Sequence, residues 1–417
     1  MKFHVINLGC VRNLVDAQNL ITCLKEKKNK LVDLEQAQAV IINTCGFIED
    51  AKKESIDTIL DVIDLKKQGK VDKVIIAGCL AQRYHEELSE EFHSEIDAIM
   101  GVPEFEQWST GKTHALSPKH YRYVKICEGC YHCCSFCAIP RIKGSLRSRP
   151  MDSILNEIRS LDGQGVKEVI LIGQDITAYG LDLYKQKRLA FLLRQIIKEI
   201  RNIRWVRLLY TFPSHITDDL LDLIAEDNLI CRYLDVPLQH INSHVLKRMN
   251  RPLTKRSTVA LIKKIRKKIP RVAVRTSFIV GFPGETAAIF EELVSYVQDT
   301  RFDKVGVFTY SKEENTPAFK YRSNITKPVM TRRYNKLMRV QQKISREKLR
   351  EFVGKKVDVI IDEKDKEAEN MYVGRTEYDA PEVDGLVYVH SRRKLPAGKI
   401  VPVLITDTLE YDLMGEY

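Results

Sequence analysis

Residues 127–137 read CEGCYHCCSFC, and this short segment holds five of the ten cysteines in the chain. Cys130, Cys134 and Cys137 have the spacing C-x3-C-x2-C. Three thiolates can hold three irons of a [4Fe–4S] cluster and leave the fourth iron open, whereas fully ligated clusters use four cysteines. The segment therefore predicts a cluster whose open iron can coordinate a substrate.

A four-cysteine zinc site is the alternative interpretation of the same segment. Cys127-x2-Cys130 followed by Cys134-x2-Cys137 has the paired spacing of a zinc module. Zinc modules usually place a longer loop between the pairs, so the zinc site is less favoured. Incidental buried cysteines are less favoured still, because five cysteines in eleven residues far exceed the average composition. The pattern assigns no role to Cys127 or Cys133.

A run of alternating strands and helices surrounds the cysteine segment and begins near His120. The predicted strands cover residues 121–126, 168–172, 205–210, 233–236, 272–280 and 304–310. Amphipathic helices are predicted between them, for example over residues 189–200, 255–269 and 286–299. Six such units predict a partial (β/α)6 barrel, open along one side, with catalytic groups at the carboxyl ends of its strands.

The first 115 residues or so repeat one strand–cysteine–helix unit. Predicted buried strands at residues 3–8, 39–43 and 73–77 are followed by Cys10, Cys45 and Cys79, which are 35 and 34 residues apart. The first helix of the series is predicted over about residues 15–27. This alternation predicts a parallel α/β domain. Because strand ends share one edge of such a sheet, the three thiols can converge on one point. Cys23 and Cys231 better fit packing roles, as free cysteines are often buried.

The rest of the chain is a basic segment followed by a strand-rich tail. Residues 330–350 are predicted to form a linking helix. Predicted strands at residues 357–361, 386–389 and 399–406 indicate a small antiparallel β-barrel. The fold class is therefore α/β, with domains predicted at residues 1–115, 116–348 and 349–417.

Composition and charge narrow the function classes. The 417 residues are 44% hydrophobic and 29% charged, which excludes wholesale disorder. No stretch approaches about 18 consecutive apolar residues and no signal peptide is evident, so we expect a cytoplasmic protein with no membrane partner. The net charge is +11, yet residues 352–417 have nine Lys/Arg against fourteen Asp/Glu, so the rest of the chain is strongly basic.

The cysteine segment and the motifs around it resemble the radical S-adenosylmethionine (SAM) enzymes, specifically the methylthiotransferase group. The resemblance covers essentially the whole chain and is far more specific than the cysteine spacing alone. The matching stretches are Asn7-Leu8-Gly9-Cys10, Asn43-Thr44-Cys45-Gly46-Phe47-Ile48, Gly78-Cys79-Leu80, Ala138-Ile139-Pro140, Arg147-Ser148-Arg149-Pro150, Leu238-Gln239-His240, Lys247-Arg248-Met249-Asn250-Arg251 and Gly281-Phe282-Pro283-Gly284-Glu285-Thr286.

This resemblance implies two [4Fe–4S] clusters and SAM as cofactors. Cys10, Cys45 and Cys79 would ligate the second cluster, which also keeps an open iron. In such enzymes the open iron of the barrel cluster binds SAM, and one electron releases a 5′-deoxyadenosyl radical that abstracts hydrogen from an unactivated carbon. The front cluster carries the sulfur, and a second SAM supplies the methyl group. An electron donor and a sulfur source are therefore implied as partners.

The resemblance also implies contacts with SAM. Gly173, Gln174 and Asp175 stand where the family's glycine-rich motif contacts the methionine amino group, although this sequence has Gln-Asp at those places. Arg275, Gly281 and Glu285 are further candidates, and they fit an ordinary salt bridge and an ordinary turn equally well.

Two other basic motifs are interpreted as structural. Gly111-Lys112-Thr113 lacks the earlier glycine and the preceding strand of a phosphate loop, so it is read as an ordinary loop. The basic residues 263–268 are interpreted as a solvated helix face in preference to an RNA groove.

The substrate is predicted from charge and from local motifs. The last domain resembles the small barrel called TRAM, which usually binds RNA and should then be basic, whereas this one is acidic. An acidic domain suits a basic protein partner. Residues 13–16, 174–180 and 379–385 resemble the branch that modifies ribosomal protein S12. We therefore predict methylthiolation of an aspartate β-carbon in S12, with Asp379, Glu382 and Asp384 lining the contact.

Two other functions stay open at this point. Methylthiolation of a modified adenosine in tRNA is the second choice, because the same group of enzymes contains tRNA-directed members. A non-enzymatic metal-binding and RNA-binding adaptor is the alternative from another class.

Overall fold

Three units follow one another along the chain, and the computed structural model describes residues 1–102 and 114–417. The tripeptide Gly111-Lys112-Thr113 lies outside the described residues. Within the described ranges, no helix combines the length and the apolar character needed to cross a membrane.

The first unit is a five-stranded parallel sheet with the strand order β2-β1-β3-β4-β5. Its strands are β1 (Lys2–Asn7), β2 (Lys30–Leu31), β3 (Ala39–Thr44), β4 (Lys73–Gly78) and β5 (Ala98–Met100), and its helices are α1 (Val11–Glu26), α2 (Glu49–Lys67), α3 (Cys79–Arg83) and α4 (His85–Glu91). The central strand β3 is buried at every position, as expected when helices cover both faces. The predicted parallel α/β domain is confirmed, and β2 and β5 extend it at the edges.

The second unit contains the six parallel strands that the sequence predicted. In chain order its strands are β6 (Tyr121–Lys125), β7 (Cys127–Glu128), β8 (Arg147–Ser148), β9 (Glu168–Ile172), β10 (Trp205–Leu208), β11 (Tyr233–Asp235), β12 (Ala273–Val280) and β13 (Lys304–Thr309). They form two parallel sheets, β10-β9-β6 and β11-β12-β13, which a bridge between Val206 and Ile230 connects. The partial barrel is confirmed, and β6 and β13 are its two free edges. The short pair β7 and β8 flanks the cysteine loop.

Helices cover the outside of this barrel. They are α5 (Ile139–Lys143), α6 (Met151–Gly163), α7 (Leu189–Glu199), α8 (Asp218–Glu226), α9 (Ser243–Arg248), α10 (Lys255–Lys268), α11 (Ala287–Thr300) and α12 (Lys327–Arg350). Thr254 caps α10 through a reciprocal hydrogen bond with Ser257, which fixes where this helix begins. The 24-residue α12 is the predicted linking helix, and it buries Leu337, Ile344 and Leu349.

The inner face of the open barrel is filled from its two ends. Val11 and Val15 of α1 join one apolar cluster with the barrel residues Tyr123, Ile170 and Tyr233, and the last unit contributes Ile360 and Ala380 to the same cluster. Arg12 of α1 donates to the carbonyl of Gly173 beyond the end of β9, whereas Arg375 of the last unit pairs with Glu168 at its start. Helix α1 therefore covers the carboxyl ends of the strands, and the last unit covers their amino ends.

The last unit is a closed five-stranded barrel with the order β14-β15-β16-β18-β17. Its strands are β14 (Lys356–Lys364), β15 (Met371–Thr376), β16 (Val387–His390), β17 (Ile400–Thr408) and β18 (Leu413–Glu416). The predicted small barrel is confirmed, although β16 and β18 pair in parallel. Strands β15 and β18 were not predicted, because each contains a glycine, which weakens the strand pattern.

The expectation that the acidic residues of this unit line a substrate contact is wrong for Asp379 and Asp384. The Asp379 carboxylate pairs with Lys304 at the start of β13. The Asp384 carboxylate accepts a 2.7 Å hydrogen bond from the Tyr233 hydroxyl and lies 3.5 Å from Arg275 Nε. Glu382 is exposed, yet its carboxylate accepts from the Tyr121 hydroxyl. These acids face the barrel because basic and phenolic side chains line the amino ends of its strands.

Candidate metal centres and cofactor site

The barrel cysteines lie in one loop between β7 and α5, and backbone contacts fix its shape. The Cys137 amide donates to the Cys134 carbonyl at 3.1 Å, and the Cys130 amide donates to the Gly144 carbonyl at 3.1 Å. Ser135 anchors the middle of the loop, because its hydroxyl donates to the Arg248 carbonyl at 2.7 Å. The three thiols are thus held by local hydrogen bonds and by the chain around Arg248.

These thiols fit a cationic metal group. Burial raises the pKa of Cys130 to about 11, although a hydrogen bond from the His132 backbone offsets part of this effect. Burial raises the pKa of Cys137 to about 12, and the like charge of the neighbouring Cys134 adds to this effect. Arg251 lies near Cys134, with 3.9 Å between Nη1 and Sγ. Because the pKa values of Cys130 and Cys137 are raised, these two neighbouring thiols become thiolates together only when a cation holds them, which is the chemistry of a cluster site.

The front cysteines come from three different strand ends and meet around Asn13. Cys10 follows β1, Cys45 follows β3, and Cys79 begins α3 directly after β4. Asn13 is 1% exposed. Its side-chain amide donates to the carbonyls of Leu8 and Thr44 at 3.0 and 3.1 Å. Its side-chain oxygen lies 3.5 Å from the Cys79 Sγ, so one asparagine connects all three cysteine-bearing loops.

A glycine lets two of the front loops approach each other. Gly9 has φ +86°, and a Cβ at this position would lie 2.8 Å from the Cys45 Cβ. Any other residue would therefore be strained and would push Cys45 away. The side-chain amide of Asn43 also donates to the Asn13 carbonyl at 2.8 Å, which ties β3 to α1. The convergence of the three thiols rests on these close approaches.

The front thiols differ in acidity. Burial alone would raise the pKa of Cys10, but the charge of Arg12 and a 3.5 Å hydrogen bond from its Nε bring this pKa below the ordinary value. Burial raises the pKa of Cys45. Burial, which Lys143 offsets only in part, raises the pKa of Cys79 to about 12. Cys10 is therefore the front thiol that ionises most readily.

The two cysteine groups face each other across one interface. Arg12, which contacts Cys10, donates to the Gly173 carbonyl at 3.4 Å and lies 4.5 Å from the centre of the Tyr210 ring. Cys79 packs against Ala138, which directly follows Cys137, and against Ile142 of α5. Both groups therefore border the same region above the carboxyl ends of the barrel strands.

A buried network of charges joins the two domains at this interface. Lys125 pairs with Asp16 of α1 and with Glu128, and Lys143 pairs with Asp16 at 2.8 Å. These four side chains are at most 5% exposed, and two positive charges balance two negative ones. The Gln174 amide also donates to Glu128. Removing one member would leave a buried charge unpaired, which is strongly destabilising.

The segment from Gly173 to Asp175 lies beside the barrel cysteine loop. One oxygen of Asp175 accepts from His132 Nε2 at 2.8 Å and from His215 Nδ1 at 3.0 Å. Burial alone would raise the pKa of Asp175, but the hydrogen bonds from both imidazoles and from Thr177 bring it well below its usual range. The ligand atoms of His132, Asp175 and His215 all lie within 4.8 Å of one another. Asp175 therefore orients two imidazoles at the cysteine loop.

Cys127 packs beneath Gly173 and has no contact that points to a ligand role. A Cβ at Gly173 would lie 2.5 Å from the Cys127 Sγ, so the thiol fills the space that the glycine leaves. Burial raises the pKa of Cys127 well above its usual value. Cys133 is exposed, and its carbonyl accepts from the Asn250 amide at 2.7 Å.

Arg275, Gly281 and Glu285 make their polar contacts with residues other than Gly173, Gln174 and Asp175. Arg275 contacts Asp235 at 3.3 Å and Asp384 at 3.5 Å, on the side of the last unit. The Glu285 carboxylate accepts from the Gly281 amide at 2.6 Å and pairs with Arg333 of α12 at 3.0 Å. Burial raises the pKa of Glu285 to about 7. Glu285 thus holds the turn after β12 against α12.

The sequence interpretation missed Arg12, Asn13 and Asp16 because it placed the start of the first helix near residue 15. Helix α1 begins at Val11. Asn13 and Asp16 are therefore three residues apart on one helix face, and both are buried. Two buried polar residues on the inner face of a helix were the available signal.

Comparisons with known proteins cover each unit of the chain. The family model described as the Radical SAM superfamily matches residues 124–297, the TRAM domain model matches residues 353–417, and the model described as Uncharacterized protein family UPF0004 matches residues 2–101. Among solved structures, the radical S-adenosylmethionine methyltransferase TsrM from Kitasatospora setae has a TM-score of 0.55 at 15% identity and covers 76% of each chain. The cobalamin-dependent enzyme OxsB has a TM-score of 0.52 at 12% identity and covers 82% of this chain and 56% of its own. These likenesses show the fold alone.

Sequence relatives match over nearly the full length. The ribosomal protein uS12 methylthiotransferase RimO of Thermoanaerobacter sp. (strain X514) is 44% identical, covering 99% of each chain. The proteins of the same name from Desulforamulus reducens and Clostridioides difficile are each 42% identical, over 99% and 100% of this chain and 98% of their own. On this evidence, the chain belongs to the family of ribosomal protein uS12 methylthiotransferases within the radical SAM superfamily.

Proposed function

We propose that this chain is a radical SAM methylthiotransferase that adds a methylthio group to the β-carbon of an aspartate in ribosomal protein uS12. The relatives that carry this name match at 42–44% identity over nearly the whole chain. The observation that carries the proposal is the pairing of two cysteine groups across one interface, which Arg12 bridges by contacting Cys10 and the Gly173 carbonyl. A single-cluster adaptor has no use for such a pairing.

In this proposal each cysteine group holds one [4Fe–4S] cluster. Cys130, Cys134 and Cys137 ligate the barrel cluster, and Cys10, Cys45 and Cys79 ligate the front cluster. The corresponding domains are residues 1–115 for the front cluster, 116–348 for the radical SAM core and 349–417 for the TRAM-like barrel. When bound, the clusters and SAM supply the radical chemistry and the sulfur, which no side chain provides.

The protein's own side chains position these groups and exclude water. Gly173, Gln174 and Asp175 are proposed to line the SAM side of the barrel loop, where Asp175 fixes the orientation of His132 and His215. Gln174 acts through Glu128, which accepts its amide. Glu285 and Gly281 are proposed to support SAM binding indirectly by holding the turn after β12. Arg275 is proposed to support the inner face of the barrel.

The reaction also requires two partners besides uS12: an electron donor and a sulfur source. A cytoplasmic location follows from the proposed substrate, because ribosomal proteins function there.

The deciding experiment is anaerobic incubation of the reconstituted enzyme with SAM and a reductant, offering purified uS12 and tRNA in parallel. We expect a methylthio mass increment on an aspartate of uS12. We also expect 5′-deoxyadenosine to form in proportion to the amount of modified uS12. If tRNA gains the increment on an adenosine and uS12 does not, the substrate is tRNA and the proposal for uS12 is wrong. Absence of 5′-deoxyadenosine from enzyme with full iron content would contradict an enzyme and favour the adaptor.

A further inference from the structure

The outer face of α12 carries a row of basic side chains that the proposed chemistry does not use. The helix has nine Lys/Arg and one acidic residue among its 24 residues. Six of the basic residues follow one another at spacings of four and three: Arg332, Lys336, Arg339, Lys343, Arg346 and Arg350. At 3.6 residues per turn they lie within an arc of about 80° along about 27 Å of helix. We call this row the α12 stripe.

The α12 stripe faces solvent and is almost free of internal partners. All six residues are exposed. Lys336 pairs with Glu291 at 2.6 Å, and the other five have no ion pair or side-chain hydrogen bond within the described part of the chain. Two of the three basic residues off the row are used internally, because Arg333 pairs with Glu285 and Lys348 pairs with Asp303. Except for Lys336, the cations of α12 that form ion pairs within the fold therefore lie on a different face from the α12 stripe.

Helix α10 shows how a basic helix looks when its charges serve the fold. Lys264 pairs with Asp218 at 3.1 Å, and Lys268 pairs with Asp222 at 2.5 Å. Both acids belong to the neighbouring α8, so the side of α10 that faces α8 is neutralised, while Arg256, Lys263 and Lys267 are exposed on another face. This agrees with the interpretation of residues 263–268 as a solvated face. The stripe on α12 has no comparable row of acids beside it in the described structure.

We propose that the α12 stripe binds the phosphate backbone of an RNA. A straight row of cations, repeated once per helical turn, matches a partner whose negative charges also repeat along a line. Four of the six residues are arginines, whose planar forks bind phosphate oxygens in pairs. This surface role goes beyond methylthiolation and does not depend on it, because RNA binding is measurable without substrate or turnover.

An acidic protein is the less suitable occupant. Protein interfaces depend on a few buried aromatic or aliphatic anchors with a polar rim around them. The residues that flank the stripe on one side are Thr331, Asn335 and Gln342, which are polar, and Glu347 on the other side pairs with Arg301. The three polar side chains suit hydrogen bonds to phosphate and sugar oxygens, which position a nucleic acid without reading its sequence.

The test measures RNA affinity of the full-length, cluster-loaded enzyme across a salt series, with a fluorescent RNA hairpin and a single strand of equal length as probes. The variant R339E/K343E/R346E removes three neighbouring cations of the stripe. Because each phosphate contact contributes a salt-dependent term, we expect about 100-fold weaker binding at about 0.1 M salt and a salt slope shallower by about 2. Sequence changes in the probe should matter little.

The matched control is R256E/K263E/K267E on α10, which makes the same change in net charge. Arg256, Lys263 and Lys267 are exposed and share one face of their helix. The control should bind RNA nearly as tightly as the unmodified enzyme. Equal losses in both variants would overturn the proposal, because binding would then follow net charge alone. No loss in the stripe variant would also overturn it.

Two further measurements keep the proposal falsifiable. R339Q/K343Q/R346Q removes the same contacts without adding negative charge, and it should flatten the salt slope equally even if the Glu variant folds poorly. Stripe-dependent binding that is tighter for polyglutamate than for RNA would overturn the proposal in favour of an acidic protein. Unchanged iron content and unchanged SAM cleavage without substrate should accompany the loss of RNA binding.

Discussion

Cys130, Cys134 and Cys137 lie within eight residues of one another in a single loop, whereas Cys10, Cys45 and Cys79 come from three strand ends that span 70 residues. The barrel loop is shaped by its own backbone and by the chain around Arg248. The front group depends on Asn13, which connects the three loops from α1. A site built from one loop should tolerate distant changes, while a site built from several elements depends on their packing.

The largest effects should come from removing either cysteine group completely. Replacing Cys130, Cys134 and Cys137 with Ala should halve the iron content and abolish SAM cleavage, because these cysteines are proposed to hold the cluster that reduces SAM. Replacing Cys10, Cys45 and Cys79 should also halve the iron but leave cleavage measurable. Iron analysis and chromatography of 5′-deoxyadenosine check both variants.

The controls for this pair are the packing cysteines. Cys23→Ala and Cys231→Ala should leave the iron content unchanged, since Cys231 is 1% exposed within the apolar cluster of the inner face. Full iron in either triple variant would contradict the ligand assignment. A four-thiol zinc site including Cys127 would instead make Cys127→Ala as damaging as Cys130→Ala.

The next largest effect should come from Asn13→Ala, which tests whether the front group depends on packing between elements more than the barrel loop does. Asn13→Ala removes the amide that binds the Leu8 and Thr44 carbonyls, at a cost of about 3 kcal/mol. We expect the front cluster to be lost in large part while the barrel cluster and SAM cleavage persist. Iron content and electron paramagnetic resonance of each reduced cluster provide the measurement.

Asn250→Gly is the matched change at the barrel loop. It removes the amide that binds the Cys133 carbonyl, and glycine accepts the positive φ of 54° at this position. Both clusters should survive, because Ser135 and the loop backbone still hold the thiols. Loss of the barrel cluster in Asn250→Gly, with the front cluster intact in Asn13→Ala, would reverse the comparison.

The same contrast explains how far the sequence could predict this site. The barrel cysteines stand out from their spacing, because their geometry is local. The front cysteines were predicted to lie near one another because parallel strand ends must share an edge, and their assignment as cluster ligands stays a prediction. Asn13 was missed because a helix start placed four residues too late removed it from the buried face of α1. Tertiary contacts made by one polar side chain leave only a weak trace in a single sequence.

The acidic tail shows a different limit of sequence interpretation. Net charge was counted correctly, but a count does not say which way a carboxylate points. Asp379 and Asp384 turn inward to Lys304, Tyr233 and Arg275. Those partners are far away in sequence, so only the folded structure reveals that this charge is neutralised within the molecule.

A change far from both clusters should destabilise the protein without touching the iron. D379N/D384N weakens buried ion pairs between the last unit and the barrel, and breaking such pairs costs about 3 kcal/mol. Thermal denaturation should show the loss, while iron content and SAM cleavage stay unchanged. Glu382→Gln is the control, because Glu382 is exposed and should cost far less. Weaker capture of uS12 at unchanged stability would restore the original expectation of a substrate contact.

The smallest effect concerns the acidity of single thiols in cluster-free protein. Burial raises the pKa of Cys130 to about 11, whereas Arg12 offsets burial and brings the pKa of Cys10 below the ordinary value. Both thiols are half-buried, so accessibility alone does not separate them. Because the thiolate is the nucleophile, iodoacetamide should modify Cys10 before Cys130 near neutral pH.

Arg12→Gln should slow the modification of Cys10 several-fold and shift its pH profile upward, since the cation that favours the thiolate is gone. Cys130 should keep its rate in the same sample, as its pKa does not depend on Arg12. Peptide mass spectrometry after timed alkylation measures both rates, and a Cys10 that reacts no faster than Cys130 would remove the assigned role of Arg12. A positive result would mean that the front group, assembled from distant elements, carries a cation that prepares one thiol for ligation before iron arrives.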